Sequence, residues 1–177
     1  MRQGDAWAHA DEMRLGLHGQ VRRVWAPRGV KVRQRRQIAY RWTYLVLAVD
    51  GRRGELRWTW TTTVRKEALA PVVVAWQAAG LTALVWDSSG SHRARLVRDV
   101  GVPLIPLPAY APELNPAERV FEEVRRVSEG RVYPDLDAKR AAAEPVLTAL
   151  AADPARVRRL AGWPWIAAAD AGLPQRE

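Results

Sequence analysis

Apolar and polar positions alternate from the first residues onward. Between Trp7 and Leu17 the odd positions Trp7, His9, Asp11, Met13, Leu15 and Leu17 share one face of an extended chain, and this period near two predicts a strand. Residues 40–49 and 55–64 are rich in Val, Leu, Thr, Tyr and Trp. They flank Asp50-Gly51-Arg52-Arg53-Gly54, a turn with two glycines free to adopt positive φ, so a β-hairpin is expected. Leu69, Val72, Val73 and Trp76 then recur at helical spacing before a stop at Gly80, with Pro71 placed where it obscures the helix start. The run Leu81-Thr82-Ala83-Leu84-Val85-Trp86 is nearly continuous in apolar residues, the pattern of a strand covered on both faces, and it ends at Asp87. Ser88-Ser89-Gly90 turns the chain. Ser91 is placed to N-cap a helix bearing Leu96, Val97 and Val100, Gly101 to close it, and residues 102–107 to form another buried strand. A further helix is expected from Asn115 through Phe121 and Val124, and an Ala-rich helix over about 135–152. Trp163-Pro164-Trp165 belongs to a packed extension.

Three antiparallel strands, a helix, and then parallel strands alternating with helices describe an α/β mixed sheet of the ribonuclease-H-like kind, flanked by helices. Other α/β folds share this order. A chain of 177 residues with 48% hydrophobic content fits a single domain, with a main body over about 5–150 and a helical extension over about 151–177.

Charge changes the picture next. The formal net charge is +9, and Arg outnumbers Lys 25 to 3; a basic surface attracts polyanions, and nucleic acid is the candidate partner. The asymmetry is concentrated. No acid occurs between Met13 and Val49, while Arg14, Arg22, Arg23, Arg28, Lys31, Arg33, Arg35, Arg36 and Arg41 accumulate there. A solvated loop is the plain alternative, but Arg holds phosphates in a bidentate grip, and Arg22, Arg23, Arg28, Lys31, Arg33, Arg35 and Arg36 are the candidate DNA contacts. With no cysteine in the chain, disulfides, thiol nucleophiles and Cys-ligated zinc are excluded. No apolar run reaches the roughly 18 residues of a membrane span, and the start lacks a signal-peptide core, so a cytoplasmic location is expected.

Three acids stand where chemistry is placed. Asp87 lies just past the carboxyl end of a buried strand, where open α/β sheets bind ligands; an Asx turn over Ser88-Ser89-Gly90 is the structural alternative. Glu118 follows Asn115-Pro116-Ala117, a helix start in which Asn caps, Pro opens and Glu completes a capping box. Three residues before Phe121, it also projects from near the core-facing side, where a carboxylate needs a partner. Asp11 shares its strand face with Trp7, Met13 and Leu15, whereas Glu12 points the opposite way. Glu12 and Glu113 are the neighbouring acids set aside. His92 is a candidate accessory, against the reading of a histidine on a solvated helix face. Trp58 and Trp60 share a strand face and are expected in the core, with base stacking as the alternative.

Here the sequence resembles a family. Leu107-Pro108-Ala109-Tyr110-Ala111-Pro112-Glu113-Leu114-Asn115-Pro116-Ala117-Glu118 is similar to the Pro-Tyr-Ser-Pro-Asp-Leu-Asn-Pro-Ile-Glu signature of DDE transposases of the mariner-like bacterial insertion-sequence group. Asp87 followed by His92 resembles the family's Asp-Asn-x-x-x-His segment. Asp11 to Leu17 resembles its first-acid strand, with Trp25-Ala26-Pro27-Arg28-Gly29 fitting the segment after it. Ser88 stands for the usual Asn, Ala111 for Ser and Ala117 for Ile, and the stretch from Asp87 to Glu118 is short for the family. The resemblance implies an RNase-H-like catalytic domain holding two Mg2+ or Mn2+ ions, with Asp11 bridging both, Asp87 and Glu118 holding one each, and His92 and Asn115 as accessories. It implies DNA strand cleavage at transposon ends and strand transfer into target DNA, by a dimer on double-stranded DNA within the nucleoid. Family members carry helix-turn-helix modules before the catalytic domain, so a separate or frameshift-joined recognition domain is expected. The competing readings are an RNase-H-like nuclease on another nucleic acid, and a truncated or repurposed remnant that binds DNA.

Overall fold

The computed structural model describes residues 6–19, 21, 23–108 and 111–171. Five strands form one sheet in the order β3-β2-β1-β4-β5. β1 (Trp7–Gly16) is central and pairs antiparallel with β2 (Trp42–Asp50), which pairs antiparallel with β3 (Glu55–Thr61). On its other edge β1 runs parallel to β4 (Ala83–Trp86), and β4 parallel to β5 (Leu104–Pro106). This is the expected mixed sheet, and β1 is the strand on which its antiparallel and parallel halves meet.

Both faces of the sheet are covered. Odd positions of β1 and β2, including Met13, Leu15, Leu45 and Leu47, pack against α3 (Ala117–Ser128), α4 (Leu136–Ala151) and α5 (Pro154–Ala161) through Val120, Phe121, Val124, Leu147, Leu150 and Val157. Even positions Ala8, Ala10, Val46 and Ala48 pack against α1 (Lys66–Ala78) and α2 (Arg95–Arg98) through Leu69, Val73, Trp76 and Val97. β1 therefore has an apolar lining on both sides, and a polar side chain on either face needs a partner.

Several local expectations are revised. α1 begins at Lys66 and runs through Pro71, which is exposed; the proline forfeits one hydrogen bond to the Glu67 carbonyl near the open end of the helix, where the loss is small. Ser91 does not cap a helix. Residues 89–94 curl into successive turns, with Arg93 N–H donating to Ser89 O at 3.1 Å and Ala94 N–H to Ser91 O at 3.4 Å, and α2 starts only after Ala94. The turn instead carries His92 inward. Gly51 does not take positive φ; Gly54 does, at +74°. Both are needed for room, because a Cβ at Gly51 would lie 2.5 Å from the Ala161 carbonyl oxygen and one at Gly54 2.2 Å from that of Pro154. The hairpin is thus pressed against α5. That helix joins the core through Val157 and Ala161, and α6 (Pro164–Ala171) follows with Trp165 edge-on to Trp163.

The Trp pair on β3 belongs to the core. Trp58 and Trp60 pack against the cluster under α3 and α4. Both indole N–H groups donate to Glu144 of α4, that of Trp58 at 3.2 Å.

Candidate active site

The last paired residues of β1 and β4 are His9 and Val85. Two residues further along each strand stand Asp11 and Asp87, side by side at the join of the two half-sheets. Asp11 is held by its own backbone and by the start of α3: Oδ1 accepts from Glu12 N–H at 2.8 Å and Oδ2 from Asn115 Nδ2 at 3.1 Å. Asn115 is a clamp as well as a cap. Only 4% exposed, it also donates to Ala10 O at 2.9 Å and accepts from Ala117 N–H at 3.1 Å, so one side chain joins the helix start to β1. Burial drives the Asp11 pKa up to about 7, the charges of Glu12, Glu118 and Asp87 add to it, and the Glu12 N–H works against it.

Asp87 is exposed at the end of β4, and its Oδ1 accepts from Ser89 N–H at 2.8 Å, the Asx turn foreseen from the sequence. A second contact comes from His92, whose Nδ1 lies 2.6 Å from the same oxygen. His92 is not on a solvated helix face: it is 3% exposed and its ring stacks on Trp86 with centroids 3.9 Å apart. The other ring nitrogen, Nε2, lies 2.9 Å from Glu12 Oε1. Two carboxylates at two ring nitrogens call for N–H at both, the imidazolium form. Burial opposes that charge, but the Glu12 hydrogen bond and the charges of Glu12 and Asp87 outweigh it and raise the His92 pKa.

Glu118 opens α3, and its carboxylate does not return to cap the helix. It accepts from Arg125 Nη1 at 3.0 Å, which also donates to Glu122 at 2.8 Å. Glu118 and Asp87 both act on Asp11 through their charges, yet each is turned onto a protein partner, and among the described residues no three His, Asp or Glu side chains are gathered closely enough to hold an ion. Glu113 is exposed on the 3-10 turn Pro112–Leu114 and lines a depression of about 350 Å3 with Asn115, Glu118, Arg119 and Glu122.

A model of the DDE superfamily endonuclease family matches residues 7–138. The chain belongs to that family. This DDE endonuclease domain also shares its fold with solved Mos1 structures. It superimposes on the Mos1 transposase paired-end complex with left transposon end at TM-score 0.67 and 15% identity, covering 88% of this chain and 51% of that one. With the Mos1 strand transfer complex the TM-score is 0.68 at 15% identity, covering 96% and 56%. With the Mos1 mariner paired end complex with Mn it is 0.63 at 14% identity, covering 92% and 55%. The domain thus spans about half the length of the Mos1 chains it matches. No curated protein matches the sequence significantly.

A cleft of about 660 Å3 runs along β1, with Arg14, Arg41, Arg125 and Lys139 in its walls beside Glu12 and Glu129. Lys139 is 6% exposed and donates to Gly16 O at 2.6 Å; burial lowers its pKa, and Glu129 works against that. The described residues of the arm between β1 and β2 form no regular secondary structure beyond a turn near Arg28, and Arg23, Arg28, Lys31, Arg33, Arg35 and Arg36 are exposed on it. Its base is tied by Leu17 N–H to Arg41 O at 2.9 Å and Gly19 N–H to Gln37 O at 2.8 Å. Arg36 Nη2 lies 2.9 Å from His18 Nε2. Arg22 lies outside the described residues, as do Ala109 and Tyr110 of the signature segment. Among the described residues no helix is long and apolar enough to cross a membrane.

Sequence reasoning missed Glu12 and Arg125. Glu12 carried one usable signal, an acid next after Ala8 and Ala10 on the even-numbered face of the strand. Arg125 lies seven residues beyond Glu118, two helical turns along the same side.

Proposed function

We infer that this domain is the catalytic part of a transposase, which nicks DNA at the ends of a mobile element and joins the freed 3′ ends to target DNA. The observation that carries this reading is Asp11: a largely buried carboxylate on the strand shared by both half-sheets, in the field of Glu118 and Asp87, in a family of endonucleases. Asp11, Asp87 and Glu118 are taken as the catalytic acids.

The donor set fits Mg2+ or Mn2+. All three side chains offer carboxylate oxygens, the ligands such ions prefer, and a carboxyl kept protonated by burial and neighbouring acids is relieved by a cation. Asp11, Asp87 and Glu118 are the residues that would hold the ions, and bound divalent ions would supply charge stabilisation for the attacking and leaving oxygens of an in-line phosphoryl displacement.

The chain's own residues do the rest. Asn115 orients Asp11, Ser89 and His92 orient Asp87, and Arg125 neutralises Glu118 until metal and DNA compete for it. The cleft along β1, with Arg14 and Arg41 in its walls, offers a DNA backbone a route towards the acids, and the arm carrying Arg23, Arg28, Lys31, Arg33, Arg35 and Arg36, with Arg22 in the same stretch, adds sequence-independent phosphate contacts. Double-stranded DNA is the substrate, a dimer the working form, and recognition of the ends falls to a helix-turn-helix module.

A nicking assay with Mg2+ or Mn2+ on DNA carrying the element's ends tests the reading. Asp87→Asn keeps the shape of the side chain and removes its charge, so cleavage should disappear while DNA binding stays near wild type. Undiminished cleavage by that variant would overturn the assignment, and equal cleavage of end-free DNA would turn the transposase into a general nuclease.

A further inference from the structure

Glu12 lies on the face of β1 opposite Asp11, with its side chain only 10% exposed. It has a purpose there that the three acids do not explain. Its Oε1 meets His92 Nε2 at 2.9 Å, and His92 Nδ1 meets Asp87 Oδ1 at 2.6 Å and Asp87 O at 3.2 Å. The imidazole is laid on Trp86 at an interplanar angle of 19°. We propose that Glu12 and His92 form a positioning strut for Asp87, so that the dipeptide Asp11-Glu12 sets both the acid it contributes and the acid of the neighbouring strand.

Geometry carries the argument. Asp87 sits at a strand end with its side chain 56% exposed, where a carboxylate left to itself samples several rotamers. Three features remove that freedom: the Ser89 N–H, the His92 ring, and the Glu12 carboxylate that fixes the ring from behind. Both side-chain contacts to Asp87 fall on Oδ1, and Oδ2 takes part in neither. One oxygen is therefore anchored while the other is presented, the arrangement by which outer partners orient a metal-binding carboxylate. Glu12 reaches Asp87 only through His92, so both are positioning residues.

The proposal rests on the reading of Asp87 as a metal ligand, and the test separates the two. Mn2+ affinity of the full chain, without DNA, is measured by titration calorimetry and by the EPR signal of free Mn2+. Asp87→Asn is the reference and should weaken binding. Removing an outer partner of a metal ligand typically costs about 10- to 100-fold in affinity, so Glu12→Ala and His92→Ala should each fall in that range, and the double variant should lose no more than the worse single one. Glu12→Asp and Glu12→Gln separate reach from charge and disturb packing least, which protects the test if an alanine variant fails to fold. Glu12→Asp keeps the charge but is one methylene too short, and is expected to bind weakly. Glu12→Gln keeps the reach and an acceptor oxygen, and should stay within a few-fold of wild type. A merely structural role would lower the folded fraction and leave the affinity of the folded chains unchanged. The strut is overturned if Glu12→Asp binds like wild type while Glu12→Gln is weak, or if both bind like wild type while Asp87→Asn does not. If Asp87→Asn itself leaves Mn2+ affinity unchanged, the metal-ligand reading fails instead.

Discussion

In the folded chain the Asp11 carboxyl keeps its proton to about pH 7, because burial and the surrounding acids outweigh the Glu12 N–H, whereas the ordinary value is 3.8. Between those values the folded state binds the proton and the unfolded state does not, so stability falls as pH rises through this window and levels off above it. One pKa unit corresponds to about 1.4 kcal/mol, which makes the loss on the order of a few kcal/mol. Asp11→Asn removes the titration. Metal-free wild type should therefore lose stability relative to Asp11→Asn between pH 4 and 7.5, read from denaturant midpoints, and Mg2+ at pH 7.5 should restore wild type but not the variant. Parallel pH profiles for the two proteins would show that Asp11 is an ordinary carboxyl. His92 titrates in both proteins, so its contribution cancels in the comparison. At this scale the positions of Asp11, Asp87 and Glu118 were legible because strand ends, strand parity and helix starts are local features. His92 and Asn115 were singled out by the family resemblance and the turn at Ser89 by its residues, but which groups they touch was not legible: Glu12 finds His92 across 80 residues and Asn115 finds Asp11 across 104, and no local pattern encodes such pairings.

The elements show the same division between local signal and distant contact. β1 was foreseen from a period of two and α1 and α3 from helical spacing, the hairpin strands from their β-branched and aromatic content around a glycine turn, and α4 from its Ala-rich run. α2 shrank to four residues because its supposed first turn is used to bring His92 onto Trp86. α5 was foreseen only within a helical extension, yet it decides what the hairpin turn tolerates. Gly54 and Gly80 both have positive φ, +74° and +88°, but a Cβ at Gly80 meets nothing within 4 Å while one at Gly54 runs into the Pro154 backbone. An Ala at positive φ costs roughly 1–2 kcal/mol, and forcing an extra carbon into a packed contact adds about 1–3 kcal/mol. Gly80→Ala should show the first cost alone and Gly54→Ala both, measured by chemical denaturation. Equal losses at the two sites would mean that α5 is not seated against the turn.

Over the whole molecule the formal charge of +9 is unevenly spent. The face holding the acids is bordered by the cleft with Arg14, Arg41, Arg125 and Lys139 in its walls, and the arm between β1 and β2 extends that basic surface through Arg23, Arg28, Lys31, Arg33 and Arg35. Exposed side chains on an arm without regular structure can follow a phosphate backbone whatever its sequence, and each contact releases counterions from the duplex. Log affinity then falls against log salt with a slope of about −0.9 for every phosphate neutralised. Replacing Arg33, Arg35 and Arg36 together by Ala should flatten the slope by roughly 2 to 3 if all three bind phosphates. Arg36 lies against His18 and would have to give up that contact to reach DNA, so its single replacement should flatten the slope less than that of Arg33 or Arg35. The loss of affinity should be similar on end-containing and random DNA, because phosphate contacts carry no base information. Fluorescence anisotropy titrations of the four variants at several salt concentrations measure this directly. A triple variant with the wild-type slope would take the arm off the DNA path and leave the cleft along β1 as the route to the acids.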